Sequence, residues 1–374
     1  MEGALRVQWG VYPLHGAEAA ASALGAHWHR RGASGERRGR VCSSAVVTSR
    51  PHAFSRDVLR IDEARAAERI ESSIREQVLA VLRRRGAVVG LSGGIDSSLV
   101  GSLCARALGP DRVLGLLMPE RDSSGDSLRL GRMLAEHLGI RHVVEDIGPA
   151  LAGIGCYDRQ LEAIRLVFPD YGEGWRCKIT LPSLLEGERL NVSSLTVADP
   201  EGRQRTSRMT PPAYLQLVAA TNFKQRLRKS LEYYHADRLH YAVAGTPNLL
   251  EYDQGFFVKH GDGAADFKPI AHLYKTQVYA LAEHLGVPPE IRNRPPTTDT
   301  YSLAQTQEEF YFALPYDLMD LCLWAHSHGV PAEEAAPILG REPDLVGRIY
   351  RDIEAKRRVS RYLHYVPLLV SEET

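Results

Sequence analysis

Short apolar runs that alternate with helical stretches constrain the fold of this chain more than any other feature. Residues 87–91, 113–117 and 142–144 have the length and apolar character of buried strands. Apolar residues recur at spacings of three and four from near Ile61, and again between the runs, as on one face of a helix. Strands that alternate with helices predict βαβ units, and therefore an α/β fold with a doubly wound parallel sheet. Residues 240–244 are expected to add a further strand.

The stretch from about residue 155 to residue 212 breaks this alternation. Residues 179–181, 190–192 and 195–197 have extended character. Residues 199–202, DPEG, are typical of a turn, since proline restricts one backbone angle and glycine allows a positive one. We therefore expect a β-hairpin insertion at 155–212 within the α/β sheet.

The two ends of the chain differ from its middle. Residues 1–55 are rich in Ala, Gly, Arg and Ser without a sustained period, which predicts a disordered extension or a start codon assigned too far upstream. A basic arm that binds an anionic partner is the alternative. After Pro315 the apolar pattern is helical to about Arg358. Residues 56–374 are therefore expected to form one domain with C-terminal helices.

Composition limits the class of protein. The 374 residues carry 46 Lys and Arg against 46 Asp and Glu, so their balance argues against a nucleic-acid-binding surface over the whole molecule. The five cysteines are widely spaced and form no CxxC pair, which favours reduced thiols over disulfides or a zinc site. No apolar run reaches the ~18 residues of a membrane span, and no secretory signal is visible. The sequence predicts a cytoplasmic enzyme that binds neither membrane nor nucleic acid.

The sharpest local motif is SGGIDSS at residues 92–98, which follows the first strand and opens a helix. Its two glycines let the backbone turn tightly and approach an anion without a Cβ in the way. The amides that follow point from a helix N-terminus, where the helix dipole favours negative charge. Asp96 would repel bare phosphate, so its presence indicates a Mg²⁺ ion between the two. The predicted ATP-binding groups in this loop are Ser92, Gly93, Gly94, Asp96, Ser97 and Ser98.

This loop lacks the Lys-Ser/Thr ending of a Walker A motif. It resembles the SGGxDS loop of the N-type ATP pyrophosphatases, which grip the pyrophosphate released when ATP becomes AMP. A Ser/Gly-rich helix cap without a ligand is the alternative interpretation. Asparagine and argininosuccinate synthetases, GMP synthetase and tRNA-thiolating enzymes are similar here, so the loop indicates a chemistry and leaves the acceptor open.

A second block of motifs narrows the choice of carboxylate acceptor. It contains GTPNLLE at residues 245–251, KHGDGAAD at 259–266 and LYKTQV at 273–278. Three motifs in this order resemble the ammonia-dependent NAD synthase family, with its GTxxxxE segment, KxGDGxxD loop and LxKxQV helix start. The likeness runs from about residue 60 to residue 360. It implies an adenine nucleotide alpha-hydrolase-like fold and the ATP-dependent amidation of nicotinic acid adenine dinucleotide to NAD.

The second block also supplies candidate catalytic groups. Glu251 follows a strand end, where open α/β sheets bind ligands, and with Asp96 it is expected to hold Mg²⁺ on the phosphates. Lys275 opens a helix and can neutralise charge on the leaving pyrophosphate, while Thr246 can donate to a phosphate oxygen. Asp266 can accept from a ribose hydroxyl or orient the incoming amine. Asp96, Lys275 and Asp266 are therefore the predicted catalytic residues.

Three further segments resemble family motifs. MPERDSS at residues 118–124 resembles MPxRxSS, which implies that the Met118 backbone meets adenine and that Arg121 lies near the nucleotide. PTTD at 296–299 resembles a loop that closes over the site, which assigns Thr297 to ATP. NFKQRLR at 222–228 resembles the NxxxRxR helix along the dinucleotide. Together with the GDG loop it gives the predicted substrate-binding residues Asn222, Arg226, Lys259, Asp262 and Asp266.

The implied partners are small molecules: ATP, a carboxylate acceptor and ammonia. Only 91 residues precede Ser92, which is short for a fused glutaminase domain, so we expect free ammonia or a separate glutaminase. The resemblance also implies a homodimer.

Three departures from the family pattern leave the acceptor open. The 155–212 stretch is longer than usual, Gln307 stands where the family usually carries Asp, and residues 357–364 match the basic tail only loosely. Another carboxylate in a specialised pathway is therefore an alternative to nicotinic acid adenine dinucleotide. A tRNA-modifying ATP pyrophosphatase is a further one, although no basic RNA-binding domain or catalytic Cys pair is evident.

Overall fold

A computed structural model describes most of the chain, namely residues 53–180, 193–295, 301–303, 311–312 and 314–370. The prediction of a disordered N-terminal extension falls almost wholly on residues 1–52, outside the described residues. The predictions for Thr297 and Gln307 also concern residues outside the described ones.

A four-stranded parallel sheet forms the centre of the molecule. The strands are β1 (Ala87–Gly90), β2 (Val113–Leu117), β3 (Arg141–Val144) and β7 (Ala242–Val243). Their order in the sheet is β3-β2-β1-β7, and each neighbouring pair is parallel. All four coincide with the apolar runs in the sequence, so the predicted α/β fold is confirmed.

Helices cover both faces of this sheet. Successive side chains of a strand point to opposite faces, so Ala87 and Val89 pack in one hydrophobic cluster while Val88 packs in another. The helices of this part are α1 (Glu63–Arg75), α2 (Ile95–Leu108), α3 (Gly125–His137), α4 (Gly148–Gly153), α5 (Cys156–Arg165), α6 (Pro211–Leu239), α7 (Leu249–Gln254), α8 (Lys275–His284) and α9 (Pro289–Arg292). The first cluster includes residues of α1, α2 and α8, and the second includes Ala236 of α6.

The long helix α6 has clear start and stop signals. The Thr210 side chain accepts from the backbone N–H of Ala213, and prolines occupy the first helical turn, where their missing N–H groups are not needed. The helix ends at His240, which adopts the left-handed conformation with φ 57°. The 29-residue helix therefore spans about 43 Å at 1.5 Å per residue.

The insertion is a small antiparallel sheet of three strands. The predicted hairpin is present as β5 (Ser194–Ala198) and β6 (Gln204–Arg208), and its turn closes with a hydrogen bond from the Gly202 N–H to the Asp199 carbonyl. The additional strand β4 (Arg176–Thr180) pairs with β5.

The stretch from residue 155 to residue 212, predicted to contain the hairpin, begins with the helix α5. Ala163 and Ile164 of this helix pack with Ile179, Leu195 and Val197 of the small sheet. A two-stranded hairpin alone is marginally stable, so the third strand and the helix give its apolar face a partner.

The C-terminal part is helical, as predicted. It consists of α10 (Tyr316–Ser327), α11 (Ala332–Leu339) and α12 (Pro343–Ser360), which bury a core around Met319 and Ile349. Among the described residues, no helix is both long enough and apolar enough to cross a membrane.

Candidate active site

The phosphate loop has a conformation that requires glycine at Gly93. Gly93 has φ +72°, and a Cβ at this position would lie 2.8 Å from the Ser127 carbonyl oxygen. Gly94 is the N-cap of α2, so the amides of the first turn point out of the helix toward the space beyond the strand ends. The Ser97 and Ser98 hydroxyls both donate to the Gly94 carbonyl, at 3.1 and 2.7 Å. The loop is therefore held in shape by its own hydrogen bonds.

A cavity of ≈ 410 Å³ lies at the carboxyl ends of the parallel strands, where open α/β sheets bind ligands. The phosphate loop forms one wall, and the end of β2 at Met118 forms another. Of the residues predicted from the sequence, those that line it are Ser92, Gly94, Asp96, Ser97, Met118, Asn222, Thr246, Glu251 and Asp262.

Asp96 is held between a lysine and an asparagine. The Lys275 ammonium lies 2.5 Å from Oδ2 of Asp96, and the Asn248 amide donates to Oδ1 at 2.9 Å. Lys275 itself is fully buried behind Asp96. Burial alone would lower the pKa of Lys275, but the charges of Asp96 and Glu251 raise it overall. Lys275 is therefore a protonated cation directly behind the cavity-lining Asp96.

Glu251 belongs to the same cluster. It is the third residue of α7, where its backbone N–H donates to Asn248 Oδ1 and its carboxylate accepts from the Asn248 N–H at 3.2 Å. This capping box stabilises the helix start and joins Glu251 to Asp96 through Asn248. Burial, followed by the charge of Asp96, raises the pKa of Glu251 to about 8. Two carboxylates, those of Asp96 and Glu251, are thus joined through one asparagine at the cavity.

Asp320 supports this cluster from behind. Its Oδ2 accepts from the Thr276 N–H at 2.7 Å, in the first turn of α8, which begins at Lys275. Asp320 is fully buried, and burial raises its pKa to about 6. This contact was not predictable from sequence patterns, because 44 residues separate the two partners.

Helix α6 forms another wall of the cavity. One face of it lines the cavity along most of its length, at positions spaced three and four apart. The Arg228 guanidinium donates to the Met118 carbonyl, and the buried Lys229 ammonium lies 2.6 Å from the Glu232 carboxylate. The cavity-lining residues of this face are Tyr214, Val218, Thr221, Asn222, Gln225, Arg228, Lys229 and Glu232.

A buried ion cluster ties α6 to the segment that follows β2. The Lys224 ammonium is fully buried, 3.0 Å from Glu120 and 2.7 Å from Asp122, and the Tyr157 hydroxyl donates to Glu120. Burial opposes ionisation of Asp122, but Lys224 and Arg121 hold its pKa below the ordinary value. Sequence reasoning missed this cluster. The sequence did contain one usable signal. Lys224 lies four residues after the apolar Ala220, and therefore on the same face of the helix.

Other predicted residues lie outside the cavity lining. The Arg121 guanidinium lies over the Tyr157 ring, 3.8 Å from its centroid. Asp266 accepts from the Val243 N–H at 2.7 Å and from the Tyr233 hydroxyl at 3.3 Å. Its described contacts therefore fasten a loop to β7.

Lys259 and Arg226 form a separate group near the C-terminal tail. The Lys259 ammonium donates to the carbonyls of Tyr362 and Tyr365, at 2.8 and 3.2 Å. Arg226 donates to the Lys259 carbonyl at 3.3 Å. Arg226 and Arg228, two residues apart, thus point to different partners, as their helical spacing predicts. The substrate-binding roles of Lys259 and Arg226 stay predictions.

Comparisons with known proteins agree with this geometry. A model of the NAD synthase family matches residues 66–162 and 190–360, and the unmatched residues 163–189 fall within the insertion. An NH3-dependent NAD+ synthetase of Mesorhizobium japonicum is 64% identical over 315 residues, which are 84% of this chain and 99% of that protein. One of Rhizobium meliloti is 61% identical over 317 residues, 85% of this chain and 95% of that protein.

A solved structure is similar in fold. The NH3-dependent NAD synthetase of Campylobacter jejuni has a TM-score of 0.53 and 22% identity, and the match covers 83% of this chain and 100% of that chain. The central parallel sheet with helices on both faces is therefore an architecture that such enzymes use.

Proposed function

The chain belongs to the NAD synthase family, and from this premise we propose that it joins ammonia to the carboxylate of nicotinic acid adenine dinucleotide. The products are NAD, AMP and pyrophosphate. The relatives that are 57–64% identical over most of the chain carry the name of ammonia-dependent NAD synthetases, which supports this acceptor over the alternatives.

The observation that carries the proposal is the Asp96–Lys275–Glu251 cluster beside the phosphate loop. It places one ammonium and two carboxylates at the N-terminus of a helix, facing the carboxyl ends of parallel strands. Backbone amides and a helix dipole favour a polyphosphate there. A triphosphate in this position has its leaving pyrophosphate near a buried cation.

The chemistry requires an activated acid. A carboxylate does not react with ammonia at neutral pH, because oxide is a poor leaving group. An oxygen of the carboxylate attacks the α-phosphorus of ATP, and the bond between that phosphorus and the pyrophosphate oxygen breaks. Ammonia then attacks the acyl carbon, a proton is lost, and AMP departs with the carboxylate oxygen.

The protein contributes position and charge to both steps. The loop amides and the Thr246 hydroxyl are suited to hold phosphate oxygens, and Lys275 stabilises negative charge that builds on the departing pyrophosphate. Shielding of the acyl-adenylate from water would favour amidation, because an acyl-adenylate hydrolyses readily. Asp320 and Asn248 keep Lys275 and Asp96 in place by their hydrogen bonds.

The acidic pair fits a magnesium ion. Asp96 and Glu251 offer the carboxylate oxygens that Mg²⁺ prefers, and both accept a hydrogen bond from Asn248, which keeps them close together. We propose that these two residues hold Mg²⁺ together with the phosphates of ATP. Bound there, the ion would neutralise phosphate charge as a Lewis acid.

The proposal extends to the setting of the enzyme. We propose that it works in the cytoplasm as a homodimer and takes free ammonia or ammonia from a separate glutaminase. Membership of the NAD synthase family is the ground for proposing a homodimer. Light scattering of the purified protein would test the dimer directly.

A substrate screen tests the function. Purified protein is supplied with ATP, Mg²⁺ and ammonium, and pyrophosphate and amide product are measured for a panel of acids. We expect pyrophosphate release and NAD formation with nicotinic acid adenine dinucleotide. Release with other acids only would favour a specialised acceptor. Release that requires tRNA would favour a tRNA-modifying enzyme, and ADP in place of AMP would refute the proposed chemistry.

A further inference from the structure

An arginine lies in the cavity wall beside the phosphate loop. Arg294 follows α9 and lines the same cavity as the loop. Its guanidinium donates to the Ser127 hydroxyl, in the first turn of α3, at 3.3 Å. The loop rests against the same residue, since a Cβ at Gly93 would lie 2.8 Å from the Ser127 carbonyl oxygen. Arg294 and the phosphate loop therefore share Ser127 as a neighbour.

The packing of α9 holds Arg294 near the start of α2. Ile291 of α9 and Ile95, the first residue of α2, belong to one hydrophobic cluster and are 1% and 4% exposed. The Arg294 N–H donates to the Ile291 carbonyl at 3.2 Å, which ties the arginine to the end of α9. Ile95 directly follows Gly94, the N-cap of α2. The same apolar contact thus fixes both the arginine and the loop.

Arg294 differs from the other cations that line the cavity. The Lys229 ammonium is paired with the Glu232 carboxylate. Arg228 donates to the Met118 carbonyl at the end of β2. Within the described part of the chain, Arg294 has no carboxylate partner, and its guanidinium bonds to a neutral hydroxyl. It is half-buried, so part of the guanidinium is accessible from the cavity. A guanidinium is always charged, and its planar set of donors matches phosphate oxygens.

We propose that Arg294 binds the terminal phosphates of ATP and the pyrophosphate that they become. The proposal rests on the proposed function, in which the phosphate loop holds that part of ATP. Lys275 is fully buried behind Asp96, so it acts on the phosphates from a distance. Arg294 is accessible, and it therefore supplies the direct contact that stabilises charge on the leaving pyrophosphate.

The test compares ligands with and without the terminal phosphates. Rates of amide formation by Arg294→Gln are measured at varied ATP, and inhibition constants are measured for pyrophosphate and for AMP. We expect KM for ATP and Ki for pyrophosphate each to rise about tenfold, in line with the loss of hydrogen bonds to a charged group. Ki for AMP and KM for nicotinic acid adenine dinucleotide should stay within twofold, because neither ligand carries these phosphates.

Two matched variants separate phosphate binding from a general loss of charge. Arg292→Gln removes a guanidinium two residues earlier, outside the described cavity lining, where it pairs with Glu283 at 2.7 Å. This control should leave KM for ATP and Ki for pyrophosphate within twofold of wild type. Arg294→Lys keeps the charge without the planar donors, and it should raise both constants only about threefold. Thermal unfolding of each variant reports on folding.

The outcomes are distinct. Unchanged constants for ATP and pyrophosphate, an equal rise in Ki for AMP, or a rise confined to KM for the acid would each overturn the role of Arg294. Arg294→Lys decides the point by the same criteria when Arg294→Gln fails to fold. Failure of the wild-type protein to release pyrophosphate with nicotinic acid adenine dinucleotide would instead reject the proposed function.

Discussion

The parallel sheet and the antiparallel insertion contribute to the cavity in different ways. The parallel sheet carries its chemistry in a contiguous motif, residues 92–98, directly after β1. The insertion carries no such motif, and it meets the cavity through Tyr301, which lies about a hundred residues beyond its strands. The family model leaves residues 163–189 unmatched, a stretch that includes β4, whereas β5 and β6 lie within its matched range 190–360. The phosphate loop is thus local in sequence, while the wall of the cavity beside it depends on long-range packing.

The largest expected effect is at the centre of the parallel sheet. Asp96→Asn removes the charge that faces Lys275 and a proposed magnesium ligand, while the amide keeps the size of the side chain. We expect a loss of about a thousandfold in kcat/KM, of the order found when a key charge-stabilising group is removed. Pyrophosphate release checks this, with circular dichroism as the test of fold. Turnover near the wild-type level would exclude a central role for Asp96.

The next prediction compares a glycine of each region. Gly93 and Gly202 both have positive φ, +72° and +83°, but only at Gly93 would a Cβ meet another atom, the Ser127 carbonyl oxygen. Gly93→Ala is therefore expected to distort the phosphate loop and to raise KM for ATP tenfold or more. Gly202→Ala should cost only about 1 kcal/mol of stability, from backbone strain, with KM for ATP unchanged. Equal effects on KM for ATP would mean that the loop does not bind ATP.

The acidic pair predicts a pH dependence of stability without ligands. Glu251 has its pKa raised from an ordinary value of 4.5 to about 8, so the folded state binds a proton that the unfolded state releases. Its contribution to stability is present below about pH 4.5 and is lost as the pH rises to about 8.

Glu251→Gln should remove this pH-dependent contribution to stability, because an amide does not titrate. Between pH 5 and 8 the melting temperature of the wild-type protein should therefore fall relative to that of the variant by a few degrees. Differential scanning calorimetry across this range is the measurement. Parallel curves for the two proteins would show that Glu251 is not buried in the manner described.

The smallest expected effect lies in the insertion. The hydroxyls of Thr196 and Thr206 share a 2.9 Å hydrogen bond across β5 and β6. Thr196→Val should cost under about 1 kcal/mol of stability and leave kcat/KM unchanged. Urea unfolding and steady-state kinetics check the two parts. A large loss of activity would show that this face of the small sheet affects the site.

Much of the fold was predictable, and the reasons are local. Strand positions followed from short apolar runs, the DPEG turn from proline and glycine, and the helix after Gly94 from the phosphate motif. The insertion was predicted as a hairpin, with further extended character at residues 179–181 that overlaps the end of β4. The pairing of β4 with the hairpin and the presence of helix α5 depend on a shared apolar core, which period alone does not reveal.

The candidate site was predictable to a different degree. Asp96, Glu251 and Lys275 were identified from spacing and resemblance, and the structure brings them together. Asn248, which bridges two of them, and Asp320, which supports the third, were not. Their roles depend on hydrogen bonds between residues that are as far as 152 positions apart.

The sequence by itself determined the phosphate loop, the order of strands and helices and the family, because glycine conformations, helix caps and apolar periods act over a few neighbouring residues. Only the tertiary structure decided which side chains share the cavity, where Lys224 and Lys229 find their carboxylates, and that Tyr301 rests against the insertion. Burial of charges and closure of a cavity arise from contacts across the whole chain, and therefore only the folded molecule specifies them.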